Sequence, residues 1–219
     1  MKAYFISGLA ADCRVFKYIQ LPPGYETVFL DWISPLKNES LQAYSFRMAE
    51  SIDTSQPFVL VGLSMGGMIA TEIANKYQPV ACILLSSVPT HKQMPGYFKL
   101  AYVLKLHRLV PIGLLQKASI MKRGLAPDNK ADKELLKQVI KDSDPAFIRW
   151  AMNAILCWKN ETIPKPLWHI HGRKDEILPY RYTKPTHSVE GGNHVMIMSK
   201  AGELNKFLKE VLAQEDRNS

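Results

Sequence analysis

Ser64 stands in the run Gly62-Leu63-Ser64-Met65-Gly66, directly after the apolar stretch Phe58-Val59-Leu60-Val61. An apolar strand that ends in Gly-X-Ser-X-Gly and opens into a helix raises a serine hydroxyl above a sheet edge. The turn is too sharp for bulky neighbours, so glycines sit two residues to either side. The helix pattern that follows, Met68-Ile69-Ala70-Thr71-Glu72-Ile73-Ala74, would aim backbone N–H groups and a partial positive charge back at that hydroxyl. A serine so placed is suited to nucleophilic chemistry through a covalent intermediate. The five-residue pattern also arises by chance; the strand before it and the helix after it distinguish this instance.

A serine hydroxyl needs a base, and the base needs a group that fixes its tautomer and stabilises its charged form. Histidine is the usual base because it titrates nearest to working pH. Of six histidines, His194 is the best placed: it follows Gly191-Gly192-Asn193 after the last predicted strand and precedes the C-terminal helix. His91 and His107 fall in an inserted segment, His187 in the final strand. His169 and His171 alternate along a strand and read as packed side chains. For the third member, Asp175 closes the turn His171-Gly172-Arg173-Lys174-Asp175, with Pro179 four residues on. Glu176 is its rival, and a solvated turn acid is the alternative. A tetrahedral oxyanion needs two donors. The Met65 N–H is one candidate, and the Leu9 N–H in the loop Ser7-Gly8-Leu9-Ala10 is the other. An ordinary strand-end turn is the plainer reading of that loop.

These residues must be carried by a sheet. Strands are predicted at 2–6, 27–30, 58–62, 80–85, 167–171 and 184–189, and helices at 41–51, 65–77 and 201–213. Strands alternating with helix-length stretches argue for βαβ units, a parallel sheet and helices on both faces. The rhythm breaks between 90 and 164. Residues 97–109 carry Leu100, Val103, Leu104 and Leu106 between basic residues, and 131–141 carry Leu135, Leu136, Val139 and Ile140 at helical spacing. Asp144-Pro145 reads as an N-cap and first-turn proline opening a helix through Phe147, Trp150, Ala151, Ile155 and Trp158. The expected organisation is an α/β core from 1–89 and 165–219 with a helical insertion at 90–164. Tyr97, Phe98, Leu100, Leu104, Met121, Phe147, Trp150, Met152 and Trp158 of that insertion are expected mostly to pack on the core, some lining a pocket. The polar tail 214–219 reads as frayed.

The chain of 219 residues can bury a core without staples. Its longest apolar runs are far short of a membrane span. No leader pattern precedes the first strand, so the expected compartment is the cytoplasm. The three cysteines, Cys13, Cys82 and Cys157, are too widely spaced to suggest a disulfide framework or metal site. All three read as packing residues, with Cys13 in a loop near the site. Net charge is +8, and it is local: residues 91–141 hold eleven Lys or Arg against three acids, a balance of +8, while the rest cancels at seventeen of each sign. Those lysines read most simply as solvated helix faces. A field that draws anionic esters is the alternative. No nucleic-acid motif accompanies the charge.

At these residues the chain resembles the α/β-hydrolase superfamily: Phe5-Ile6-Ser7-Gly8-Leu9, Gly62-Leu63-Ser64-Met65-Gly66-Gly67, His171-Gly172-Arg173-Lys174-Asp175 and Gly191-Gly192-Asn193-His194 stand in that family's order. Many members have His-Gly where this chain has Ser7-Gly8, and the usual first two strands are not evident. The expected fold is therefore an open, mostly parallel six-stranded sheet of order 2-1-3-4-5-6, helices on both faces, the insertion acting as a lid. The resemblance implies hydrolysis of small carboxylic esters or thioesters by a catalytic triad, Ser64, Asp175 and His194, with an oxyanion hole at Leu9 and Met65. It implies no organic cofactor and no metal; no stable membrane anchor is expected. Ser64 speaks against the Asp-nucleophile chemistries of the fold; lyase and perhydrolase reactions reuse the same triad. A small-molecule sensor that keeps the triad but turns over slowly is the alternative from another class.

Overall fold

Six short strands rich in β-branched, leucine and aromatic residues pair in parallel throughout, in the order β2-β1-β3-β4-β5-β6. They are β1 (Lys2–Ile6), β2 (Glu26–Leu30), β3 (Phe58–Leu63), β4 (Ala81–Leu85), β5 (Leu167–Gly172) and β6 (His187–Val189). The order is the one expected from the sequence. The coordinates are a computed structural model that describes residues 1–98, 127 and 129–218. The α-helices of the described residues are α1 (Leu41–Met48), α2 (Met65–Tyr77), α3 (Lys130–Asp142), α4 (Pro145–Cys157), α5 (Met196–Ser199) and α6 (Ala201–Asn218).

Alternation along the strands sends successive side chains to opposite faces. Phe5, Val59, Val61 and Ile83 pack on one face with α3 and α6. Tyr4, Ile6, Leu60 and Leu84 pack on the other under α1, α2 and α4. Every residue of β3 and β4 is buried, so both read as continuous apolar runs, as a central strand covered on both sides should. The C-terminal ends of β1, β3, β4, β5 and β6 share one edge of the sheet.

Where the elements depart from expectation, the cause is local. Strand β6 has only three residues, not the span 184–189. Pro185 offers no N–H, and the Thr186 hydroxyl bonds both the N–H and the carbonyl of His169, at 2.8 and 3.1 Å, in place of a backbone ladder. The last turn of the helix expected at 41–51 tightens into a 3-10 turn over Ala49–Ser51. The tail is not frayed at 214: α6 runs to Asn218, and the buried Glu215 accepts a hydrogen bond from Trp168 Nε1 at 2.9 Å. Side-chain caps open three helices, at Ser40, Asn129 and Asp144, the last followed by Pro145 at the first helical position. Such a cap contributes about 1 kcal/mol.

Cys82 is buried in β4 and Cys157 is half-buried at the end of α4. Cys13 is exposed, contrary to a packing role, because the turn Cys13–Phe16 buries Val15 and Phe16 and leaves its first residue outside. The helical pattern at 97–109 lies largely outside the described residues, with Leu100, Leu104, His107 and Met121. Among the described residues, 90–164 holds no strand, and the four lysines of α3 are exposed.

Polar anchors tie α3 and α4 to the sheet layers. Trp158 Nε1 donates to the buried Glu72 Oε1 of α2 at 2.7 Å, and Gln42 Nε2 of α1 donates to the other oxygen at 3.0 Å. Trp150 Nε1 donates to the Glu39 carbonyl, and its ring lies 4.3 Å from that of Tyr44. Arg14 spans Asp12 and Asp142 at the end of α3. Phe147, Trp150 and Trp158 thus pack as expected. Trp158→Phe leaves a buried carboxylate oxygen without its donor. Denaturant unfolding of that variant is expected to show a loss of about 2 kcal/mol, since an unsatisfied buried acceptor costs roughly 1–3 kcal/mol.

Candidate active site

Strand β3 ends at Leu63 and α2 begins at Met65, so Ser64 alone makes the turn, at φ 52° and ψ −117°. A positive φ at a non-glycine residue costs on the order of 1–3 kcal/mol and persists only where its surroundings hold it. Here they do. The Ser64 N–H donates to Leu85 O at 3.0 Å, and its carbonyl accepts from Gly67 N at 3.0 Å and from Ser87 Oγ at 2.6 Å. The turn closes because two flanking positions carry no Cβ. One at Gly62 would overlap the Gly66 carbonyl, and one at Gly66 would overlap the carbonyls of Ile6 and Ser7 at the end of β1. Ser87 was not singled out in the sequence; its position just past the end of β4 is the signal that places it beside the turn.

His194 and Asp175 reach Ser64 from two loops stitched together. Lys174 N donates to Gly192 O at 2.8 Å and Arg173 N to Val189 O at 3.1 Å. His194 Nε2 lies 3.0 Å from Ser64 Oγ, and His194 Nδ1 lies 2.8 Å from Asp175 Oδ2. A proton on Nδ1, facing the carboxylate, leaves Nε2 as the acceptor for the serine hydroxyl. Asp175 Oδ1 accepts from the amides of Ile177 and Leu178, each at 2.9 Å. Burial alone would raise the Asp175 carboxyl. The charge and hydrogen bond of His194, with the Leu178 amide, outweigh it, and the group lies below its usual range. Glu176, the rival acid, is exposed.

The loop after β1 lies against the serine: a Cβ on Gly8 would stand 3.3 Å from Ser64 Cβ. Ser7 Oγ donates to Ala11 O at 2.9 Å and Trp32 Nε1 to the same oxygen at 2.7 Å, which fixes the loop. Leu9 and Met65 both line a cavity of about 310 Å³ that opens on Ser64 and His194. Its other described walls are apolar and come from every layer: Met68 of α2, Leu136 of α3, Met152 and Leu156 of α4, and Ile197 of α5 among them. Among the described residues of the insertion's expected set, Phe98 and Met152 line it; Tyr97 instead donates from its hydroxyl to Ile177 O at 3.0 Å.

The remaining described histidines fall into two groups. His91 bonds Asn160 O through Nδ1, and His187 packs edge-on to Phe207, both away from Ser64. His169 and His171 are wholly buried, as the strand alternation requires. His171 is more than filler: its Nε2 donates to Leu178 O at 2.7 Å and lies 3.4 Å from Asp175 Oδ2. The four-residue spacing of His171 and Asp175 around Gly172 was the available signal. Among the described residues, no group of three or more His, Cys, Asp or Glu could hold a metal ion, and no helix is long and apolar enough to cross a membrane.

This sheet order, with a serine turn after β3, an acid after β5 and a histidine after β6, defines a class. The chain belongs to the α/β-hydrolase family, whose model matches residues 4–207. It is similar in fold to MenH from S. aureus, at 16% identity and a TM-score of 0.78, over 99% of this chain and 94% of that one. A thermophilic esterase from Thermogutta terrifontis superposes at 0.76 with 16% identity, over 98% and 90%. A bromoperoxidase from Bacillus anthracis superposes at 0.66 with 16% identity, over 94% and 90%. No curated protein sequence matches the chain.

The buried histidines make stability fall on the acid side. Burial, with His171 adding to it, pushes the His169 imidazole down to about 3. The unfolded chain then takes up that proton more readily, so the stabilisation is present above the unfolded value near 6.5 and is lost as pH falls below it. Over pH 7.5 to 5, wild type is expected to lose about 2 kcal/mol more stability than His169→Leu, read by denaturant titrations at each pH.

Proposed function

We propose that the protein is a serine hydrolase that cleaves carboxylic esters or thioesters of small molecules through an acyl-enzyme on Ser64. The observation that carries this reading is one unbroken chain of contacts. Asp175 Oδ2 meets His194 Nδ1 at 2.8 Å, His194 Nε2 meets Ser64 Oγ at 3.0 Å, and Ser64 opens on an apolar cavity. His194 takes the hydroxyl proton as Oγ attacks the carbonyl carbon, and Asp175 stabilises the imidazolium without becoming protonated. The Leu9 and Met65 N–H groups hold the oxyanion. His194 returns its proton to the departing alcohol or thiol, and the acyl group stays on Oγ. Water, deprotonated by the same imidazole, then releases the acid. No metal or organic cofactor enters this sequence.

The chemistry of the cavity favours an uncharged acyl group. Ser64 and His194 are the only residues with polar side chains on its described walls, so a carboxylate or phosphate there would lose hydration without a partner. The insertion at 90–164 serves as a lid whose α4 supplies part of the acyl wall. Steering of anionic esters by its basic residues would be a separate, salt-sensitive effect on kcat/KM.

Two kinetic outcomes are expected with p-nitrophenyl esters. Ser64→Ala lowers kcat by at least about 10⁴ while thermal unfolding stays cooperative. Across a series of acyl lengths, kcat/KM of wild type rises about fourfold per methylene, as about 0.8 kcal/mol of burial each would give, until the cavity is filled. Turnover that survives Ser64→Ala contradicts the reading. Ligand-induced shifts in Tm with no turnover by wild type would point instead to a sensor.

A further inference from the structure

We propose that His171 is a positioning residue for the acid of the site, holding the Asp175 carboxylate in register with His194. The inference rests on the hydrolase reading above and concerns a side chain that touches no substrate. Asp175, Leu178 and His171 form a closed ring of contacts. The Leu178 amide donates to Asp175 Oδ1 at 2.9 Å, the Leu178 carbonyl accepts from His171 Nε2 at 2.7 Å, and the same nitrogen lies 3.4 Å from Asp175 Oδ2. His171 therefore grips both the residue that holds one carboxylate oxygen and the edge of the other, the one that faces His194.

The ring works because His171 is neutral and single-tautomer. A carbonyl can only accept, so the proton sits on Nε2. His171 Nδ1 is left as an acceptor, with His169 Nε2 3.4 Å away and the two rings nearly perpendicular at 84°. The titratable groups around it are His169 on its own strand, Asp175 and Tyr180 from the loop beyond, and His194 from the loop after β6. Burial, the largest influence, keeps His171 uncharged despite the pull of Asp175. A cation here would compete with His194 for the carboxylate; a neutral donor orients it without doing so. The position within the buried C-terminal half of β5 makes the grip rigid, unlike one made by the exposed turn residues Arg173 and Lys174.

The test uses His171→Leu and His171→Phe, which remove the donor, and His171→Gln, whose amide nitrogen can still donate to Leu178 O. Each full-length variant is titrated with a fluorophosphonate, so that kcat is expressed per labelled site. In Leu and Phe we expect kcat to fall on the order of 10- to 100-fold with KM within about twofold, as a small displacement of a catalytic group costs. The acid limb of kcat/KM is expected to move to lower pH, because an imidazolium less well held by Asp175 is easier to deprotonate. Gln, whose side-chain NH2 remains a donor, is expected to keep kcat within about threefold of wild type. Wild-type kcat per site with an unmoved acid limb in Leu or Phe overturns the proposal, as does Gln impaired as much as Phe. If neither Leu nor Phe folds, Gln decides: near-wild-type kcat supports the role, and a loss beyond tenfold removes it. If folded wild type takes no label at all, the hydrolase reading itself has failed.

Discussion

The backbone at Ser64 cannot relax, and most of the site follows from that. A residue at φ 52° between a buried strand and a helix would ordinarily straighten. It is held by hydrogen bonds to Leu85, Gly67 and Ser87, that is, by the neighbouring strand β4 and by its own helix. The bend brings α2 against the end of β1, where even one extra carbon on Gly66 would collide with the carbonyls of Ile6 and Ser7. The hydroxyl is thereby fixed relative to three strands before His194 or Asp175 is considered. Each of the three bonds contributes about 1 kcal/mol, enough together to offset the strain.

A second close approach sets the partners. A Cβ at Gly172 would overlap the Gly192 carbonyl, so the loop after β5 and the loop after β6 share one backbone seam. That seam delivers Asp175 and His194 to each other in a place where both are at least nine-tenths buried. Water is thus largely excluded from the Asp175–His194 bond, and the bond is correspondingly directional. The serine arrives from β3 and its two partners from β5 and β6, with β4 between them tied to both sides.

Much of this was legible in the residues. Ser64, its glycines and the helix from 65 to 77 are a local pattern, and local patterns survive folding. The parallel sheet with helices on both faces followed from six apolar runs alternating with helix-length stretches, and its order from the family resemblance. Asp175 could be preferred to Glu176 but not separated from it by sequence, because their difference is which side of one turn faces inward. The role of Ser87, the grip of His171 on Leu178 and the burial of Glu215 under Trp168 all join residues more than five apart through side-chain geometry or tertiary contact, which periodicity does not encode. Strand β6 is shorter and α6 longer than their sequence patterns for the same reason: side chains of Thr186 and Glu215 take over from backbone propensity.

The neighbours in fold, an esterase and a bromoperoxidase among them, share the sheet and not one chemistry. What this chain does must therefore be read at Ser64. The most direct measurement is a crystal structure after treatment with an alkyl fluorophosphonate. A single phosphorus bonded to Ser64 Oγ is expected, its oxygen about 3 Å from both the Leu9 and Met65 amides and its alkyl chain in the apolar cavity. Phosphorus on another residue, or an unmodified Ser64 in folded protein, would contradict the account.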